Sequence, residues 1–378
     1  MPENTATAKK QIKVHHRGRG AQVGIYLGKL LRMFIYQNDW KVLPMSALIA
    51  GLVAMVVRKR LFIDMEGSLT GAFAIVCVGI WNGCFNSIQS ICRERDVIKR
   101  EHRLGMHISA YICAHMIYQA LLCLAQTLIT LYVLQLANVQ YPLEGRITPY
   151  FMVDFGISLF LITYASDMMS LWISSLARST TTAMTIMPFV LIFQLVFSGG
   201  MLNLPTLAQP MTNFTISNPG LKLICAQADV NSRPFVTISN MLSRMRDKEV
   251  GGTYTLRPLV ELLQDESNPK IAEIRAGKLD DGTTVGKLID AIAEEETVKA
   301  NLDEGVTMKT TVGEIMDLVG EDKVTDYINK SASEASFKED YVPSDDNIMD
   351  YWFRIFAFVV LFAALATITL EFIDKDKR

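Results

Sequence analysis

Long apolar segments alternate with short polar ones through the first 203 residues of the chain, and one more apolar segment lies near its end. A bilayer core requires roughly 20 apolar residues in a helix. On this criterion the pattern predicts six transmembrane helices, over residues 42–57, 69–91, 107–134, 151–176, 182–203 and 352–372. The chain is therefore predicted to be an α-helical integral membrane protein.

A long polar segment separates the fifth predicted span from the sixth. Residues 204–350 carry 26 acidic and 15 basic residues, whereas the rest of the chain carries 13 acidic and 22 basic ones. The net charge of −2 therefore combines two unlike parts. We predict a soluble, mostly α-helical domain at 204–350, inserted after the helices of 42–203, with 351–378 forming the last span and a tail.

Short repeats occur within this insert. Residues 283–288 read TTVGKL, residues 310–315 read TTVGEI, and residues 254–259 form a looser copy, YTLRPL. Each copy precedes an apolar run with helical spacing, and Thr311 with Glu314 has the spacing of a capping box. The copies predict several short helices, which either arose by duplication or share only the chemistry of a helix start.

Basic residues indicate the orientation of the spans. They are concentrated in the tail 1–21, in the segment after the second span and at the C-terminus, and they outnumber the cluster at 58–60 on the other side. Cytoplasmic loops of membrane proteins are enriched in Lys and Arg. We therefore predict a multi-pass protein of the cell membrane with both termini in the cytoplasm and with the insert outside.

The segment before the first span has an amphipathic pattern. Within residues 22–41, Lys29 and Arg32 alternate with apolar residues such as Ile25 and Leu30. This pattern predicts a helix that lies along the inner leaflet. The alternative is an extension of the first span.

Sequence motifs of enzymes are not found. The chain contains no GxxxxGK[ST], HExxH or GxSxG motif and no paired Cys and His ligands, and its six cysteines lack metal-binding spacing. We therefore predict no catalytic residue, no metal site and no nucleic-acid partner. The cysteines are interpreted as small packing residues.

The segment that joins the second and third spans carries charges of both signs. Residues 93–106 read RERDVIKREHRLGM. An ordinary cytoplasmic loop requires only the basic residues, whereas mixed charges suit docking onto another protein. The pattern therefore predicts a charged helical hairpin that contacts a protein partner.

Polar residues also occur inside the predicted spans. Asp167 lies within the fourth span, where a carboxylate is costly and faces the bundle interior or water. It is either a contact for a proton or substrate or a structural pair. Gln119, Gln126 and Gln194 are candidates for hydrogen bonds between helices.

Three segments together resemble the ABC-2 type permeases, in particular the membrane domains of the G-subfamily (white-type) ABC exporters. Residues 94–111 follow that family's charged run, with His107 where a Tyr is common. Residues 82–87, NGCFNS, are similar to its N-x-x-F-x-S segment, and residues 197–201, FSGGM, to its F-S-G turn. The resemblance covers residues 20–225 and the last span, and the large insert departs from it.

The resemblance implies a six-helix, type V exporter-like fold and a permease subunit. Such a subunit pairs as a homodimer or with a second permease, and a separate ABC ATPase subunit binds ATP and Mg. The implied ATPase-coupling residues are Arg95, Arg100, Glu101 and Arg103. The implied substrate-path residues are Asn82, Phe85, Asn86, Phe193 and Phe197. The alternative is a membrane-anchored extracytoplasmic binding or sensory protein.

Overall fold

The computed structural model describes most of the chain between Gly18 and Phe372. The described residues are 18–37, 39–200, 205–206, 208–233, 246, 249–254, 256–265, 267–278, 284–294, 296, 306–311 and 337–372. The chain divides into two compact units, the first formed by residues 1–236 and 332–378 and the second by residues 237–331. The second unit is smaller than the predicted insert, because both ends of 204–350 belong to the first unit.

Helices form the larger part of the described residues in both units. In chain order the elements are α1 (Arg19–Tyr36), α2 (Val42–Val57), α3 (Met65–Ser87), α4 (Ser90–Arg103), α5 (Ile108–Leu136), α6 (Phe151–Leu176), α7 (Thr180–Val196), α8 (Ser217–Gln227), β1 (Glu249–Tyr254), α9 (Leu256–Gln264), α10 (Pro269–Ala276), α11 (Val285–Glu294), β2 (Val306–Thr311) and α12 (Asp345–Glu371).

Five helical segments among the described residues are long and apolar enough to cross a membrane. They are Asp39–Val57, Met65–Arg103, Ile108–Leu136, Phe151–Leu176 and Asp345–Glu371. The structure thus confirms a multi-pass helical membrane protein. α7, at the position of the predicted span 182–203, is apolar but has only 17 residues. It ends early because a turn follows, with Gly199 in the left-handed region at φ +73°.

α6 lies between α3 and α12 at the centre of the first unit. A Cβ atom on Gly83 of α3 would lie 2.2 Å from the carbonyl oxygen of Thr163 and 2.7 Å from the backbone nitrogen of Asp167. A Cβ atom on Gly79 would lie 3.2 Å from the Thr163 hydroxyl. Glycines four residues apart share one helix face and let membrane helices approach closely. These two glycines therefore set the distance between α3 and α6.

α8 folds back into the first unit and packs against α3, α6 and α12. Its residues Leu223 and Cys225 are fully buried. The side chain of Gln194, in α7, accepts hydrogen bonds from the backbone nitrogens of Ile216 and Ser217 at 2.9 and 3.1 Å. Such nitrogens at a helix start lack intrahelical partners. The hydropathy pattern assigned this segment to the soluble insert, but the structure places it against the apolar helices.

α1 packs along α5 and covers most of the segment 22–41 that was predicted as an amphipathic helix. Its buried residues are Gln22 and Leu30. The Gln22 amide donates to the Gly105 carbonyl at 3.3 Å and accepts from the His107 backbone nitrogen at 2.9 Å. These bonds attach the start of α1 to the turn before α5.

The second unit combines a two-stranded sheet with short helices. β1 and β2 are antiparallel and pair along their whole length. Arg275 of α10 forms an ion pair with Asp290 of α11, with an N–O distance of 2.8 Å. The insert therefore contains strands as well as the predicted helices.

The predicted repeats share one local structure where they are described. Tyr254 ends β1 just before α9, and Thr284 forms an isolated bridge with Lys278 just before α11. The third copy ends β2 at Thr311, and its residues 312–315 lie outside the described residues. The two comparable copies thus place extended backbone directly before a helix start.

Candidate functional site

The charged segment 93–106 forms one helix and a tight turn instead of the predicted hairpin. α4 ends at Arg103, and the chain turns through Leu104 and Gly105 into α5. Gly105 has φ +100°, a conformation that side-chain-bearing residues rarely adopt. The tight turn therefore keeps the end of α4 close to the start of α5.

Arg95 attaches α4 to the end of α6. Its Nη1 donates to the carbonyl oxygens of Ser175 and Ala177 at 2.7 and 3.0 Å. The last carbonyls of a helix lack intrahelical partners, and a cation is favourable near them. Arg95 therefore joins α4 directly to the end of α6.

Two acidic residues attach α4 to α1. The hydroxyl of Tyr26 donates to Oε2 of Glu101 at 3.0 Å, and Lys29 Nζ lies 2.8 Å from Oε2 of Glu94. Burial, and then the hydrogen bond to Glu101, raise the pKa of Tyr26, so its hydroxyl keeps the proton that it donates. Glu101, which the resemblance assigned to ATPase coupling, therefore binds within its own chain.

The remaining coupling candidates, Arg100 and Arg103, lie on the exposed side of α4. Asp96 is also exposed, and Leu104 is 72% exposed. These four residues are called the α4 surface below. A surface that combines both signs of charge with an apolar side chain suits docking onto another protein.

A polar cluster lies where α3, α5 and α6 meet. Asp167 is fully buried and accepts hydrogen bonds from the hydroxyl of Ser87 and from the thiol of Cys123, the latter at 3.2 Å. Asn86 and Gln126 exchange two hydrogen bonds of 2.8 and 3.0 Å. Polar side chains inside a membrane commonly join helices in this way. These contacts favour the structural interpretation of Asp167.

Replacement of Asp167 by asparagine should leave the protein folded and transport close to normal. Asparagine keeps one oxygen that can accept from Ser87, and its NH2 group can donate to the sulfur of Cys123. Asp167→Leu instead leaves both buried groups without a partner, at about 1–3 kcal/mol each. Asp167→Leu should therefore lower the Tm in thermal-shift measurements. A folded Asp167→Asn variant without transport would instead indicate a functional carboxylate.

The five predicted substrate-path residues lie in different places within one chain. Phe85, which is 48% exposed, and Asn86 line a cavity of about 210 Å³ beside α1 and α5. Phe193 lines another cavity, of about 570 Å³, among α6, α7 and α12, and its ring lies 4.8 Å from that of Phe197. Asn82 is buried. None of the five residues lines both cavities.

The two partners of Asp167 were not singled out from the sequence. Ser87 and Cys123 are small residues, which membrane helices use widely for packing. Gln126 could have indicated the polar role of Cys123 from the sequence. It lies three residues after Cys123 and therefore on the same face of α5. Among the described residues, no group of three or more His, Cys, Asp and Glu side chains is placed to hold a metal ion.

The fold defines a helical, multi-pass membrane protein, and its charged helix α4 is partly exposed. A family model described as ABC-2 type transporter matches residues 28–218. The chain therefore belongs to the ABC-2 type transporter family, whose membrane domain is the permease component of an ABC transporter.

A curated relative agrees with this assignment. The chain is similar to the ABC transporter ATP-binding/permease protein Rv1747 of Mycobacterium tuberculosis, with 27% identity over 126 residues. The match covers 32% of this chain and 14% of the relative. The chain thus corresponds to a small part of that relative's length.

Proposed function

We propose that this chain is the membrane-spanning subunit of an ABC exporter and moves a substrate outward by alternating access. Family membership alone supports only part of this proposal. The hydrogen bonds and the ion pair that attach α4 to two neighbouring helices are the observation that supports it further. Arg95 joins this helix to α6, and Glu101 joins it to α1. The α4 surface is exposed. The ATPase partner binds ATP and Mg and docks on that surface.

The contacts of α4 provide a route for coupling. Closure of the ATPase displaces α4, and the bonds of Arg95 transmit this displacement to the end of α6. The Tyr26–Glu101 and Lys29–Glu94 contacts transmit it to α1. Coupling requires two states whose balance ATP shifts, and these contacts make three helices move together.

A pair of permease chains completes the proposed path, as a homodimer or with a second permease. α7, at the position of the fifth predicted span, is about 25 Å long at 1.5 Å per residue and brings the number of proposed spans to six. Only Ala183, Met187 and Gln194 are buried among its residues, and Phe189 is 70% exposed. A second chain packed against α7 would enclose a path between residues of α3 and α7.

Both termini are proposed to lie in the cytoplasm, with residues 237–331 outside. In a background without the native cysteines, Lys287→Cys should react with a membrane-impermeant maleimide in intact cells, because Lys287 is exposed on α11. The matched Arg32→Cys variant, at an exposed position of α1, should react only after lysis. The opposite pattern would reverse the orientation.

Alternating access should change the accessibility of Phe85. Phe85→Cys should react with a small thiol reagent in the resting state, because this position is 48% exposed beside a cavity. Trapping the ATPase with ATP and vanadate should slow the reaction by about tenfold, through a shift in a two-state equilibrium. Arg58→Cys, at an exposed position between α2 and α3, is the control. Equal rates in both nucleotide states would contradict alternating access at this site.

A further inference from the structure

The cavity beside Phe85 contains buried polar groups without partners. His115 and Gln119 of α5 line it and are 2% and 1% exposed. Neither ring nitrogen of His115 nor Oε1 of Gln119 has a hydrogen-bond partner among the described residues. Residues four apart lie on the same helix face. The two side chains therefore lie next to each other at the cavity, and together they are called the polar wall below.

This polar wall has a defined hydrogen-bonding capacity. A neutral imidazole offers one donor and one acceptor, and Gln119 Oε1 adds a second acceptor. Buried polar atoms in proteins nearly always have a hydrogen-bond partner. Hydroxyl groups fit this wall best, because each of them both donates and accepts.

The charged residues at the same cavity are already paired. Arg93 lies 3.6 Å from Asp39, and Glu94 lies 2.8 Å from Lys29. A charged ligand would lose its hydration there without gaining a free counter-ion. The cavity therefore favours a neutral ligand.

The position and size of the cavity indicate a headgroup rather than a whole ligand. Gln119 lies 11 residues after the start of α5 at Ile108, about 16 Å along the helix. The walls also include the apolar side chains of Leu30, Val42 and Leu122. A volume of about 210 Å³ is below the roughly 300–1,000 Å³ of pockets that enclose drug-sized ligands. An amphiphile can place its headgroup here while its chain stays in lipid.

We infer that this cavity binds the neutral, hydroxylated headgroup of an amphiphile through His115 and Gln119. His115 and Gln119 lie on α5, and Phe85 and Asn86, which the resemblance assigned to the substrate path, line the same cavity. A ligand bound here would therefore lie on the path of the proposed exporter. Residues of α1, α2, α3, α4 and α5 line it, so an occupant contacts α4 and also α1, to which α4 is attached. Binding at this site does not require an ATPase, so it can be tested with the full chain alone.

The test uses octyl glucoside that carries a diazirine in its alkyl chain. The purified full chain in phosphatidylcholine nanodiscs is irradiated with this probe, and labelled peptides are identified by mass spectrometry. Labelling of peptides around His115 and Gln119 should saturate. Unlabelled octyl glucoside should compete for it, whereas octyl sulfate and octyltrimethylammonium should not.

Two single variants test the assignment of the polar wall. Gln119→Met and His115→Phe should each lower the labelling by about tenfold, or about 1.4 kcal/mol. Phenylalanine retains a ring against Tyr111, whose ring centroid lies 4.6 Å from that of His115, so folding should persist. Leu121→Ala, at an exposed position of α5, should label normally. Unchanged labelling in both variants, absence of saturable labelling, or equal competition by the charged amphiphiles would each overturn the inference.

Discussion

Gly83→Leu should prevent the first unit from assembling. Even the Cβ atom would lie 2.2 Å from the carbonyl oxygen of Thr163, and the backbone of α6 cannot move aside as a flexible side chain can. Overpacking usually costs about 1–3 kcal/mol and more when the backbone must shift, against a total stability of about 5–15 kcal/mol. Size-exclusion chromatography of the detergent-solubilised variant should show loss of the monodisperse peak.

Gly51→Ala is the matched control for the milder variant Gly83→Ala. A Cβ atom on Gly51 would lie 4.0 Å from the nearest atom of Val133, an ordinary contact. Alanine is favoured over glycine inside a helix by about 1 kcal/mol, so Gly51→Ala should keep or raise the Tm, whereas Gly83→Ala should lower it. Equal Tm values for the two alanine variants would contradict the close crossing of α3 and α6.

Arg100→Glu should separate the permease from its ATPase while the membrane helices stay folded. Arg100 is exposed on the α4 surface. In the proposed complex it faces negative charge on the ATPase, which a glutamate at this position would repel. Like charges at an interface can cost several kcal/mol, so association should weaken by about tenfold or more. Pull-down of the ATPase and the substrate-stimulated ATPase rate measure this loss.

Arg58→Glu provides the control with the same change of charge. Arg58 is exposed between α2 and α3, at the end of α3 opposite to α4. This variant should bind the ATPase and stimulate it as the wild type does. If the two variants behaved alike, the α4 surface would not be the docking site.

The order of the long helices could be predicted from the sequence because apolar length is a local property. The fate of α8 could not be predicted in this way. Its apolar run at 223–226 is far too short to span a bilayer, and only its packing against α3, α6 and α12 shows that it is buried. The early end of α7 depends likewise on the turn at Gly199.

The contacts of the candidate site could likewise be predicted only in part from the sequence. The mixed charges identified α4, but the sequence did not show that Glu101 faces inward to Tyr26, 75 residues earlier. Asp167 was conspicuous as a carboxylate in an apolar segment. Its partners Ser87 and Cys123 lie 80 and 44 residues away on other helices. The geometry of helix crossings determines such contacts, and a single sequence does not display it.

Native mass spectrometry of the complex purified from its own membranes tests most directly whether this chain works with an ATPase. The tagged full chain of 42.3 kDa is extracted in mild detergent without added partners. We expect an assembly of two permease chains with an ATP-binding partner, which Arg100→Glu disrupts and Arg58→Glu does not. Repeated recovery of the folded chain without any ATP-binding protein would contradict its assignment as the membrane subunit of an ABC exporter.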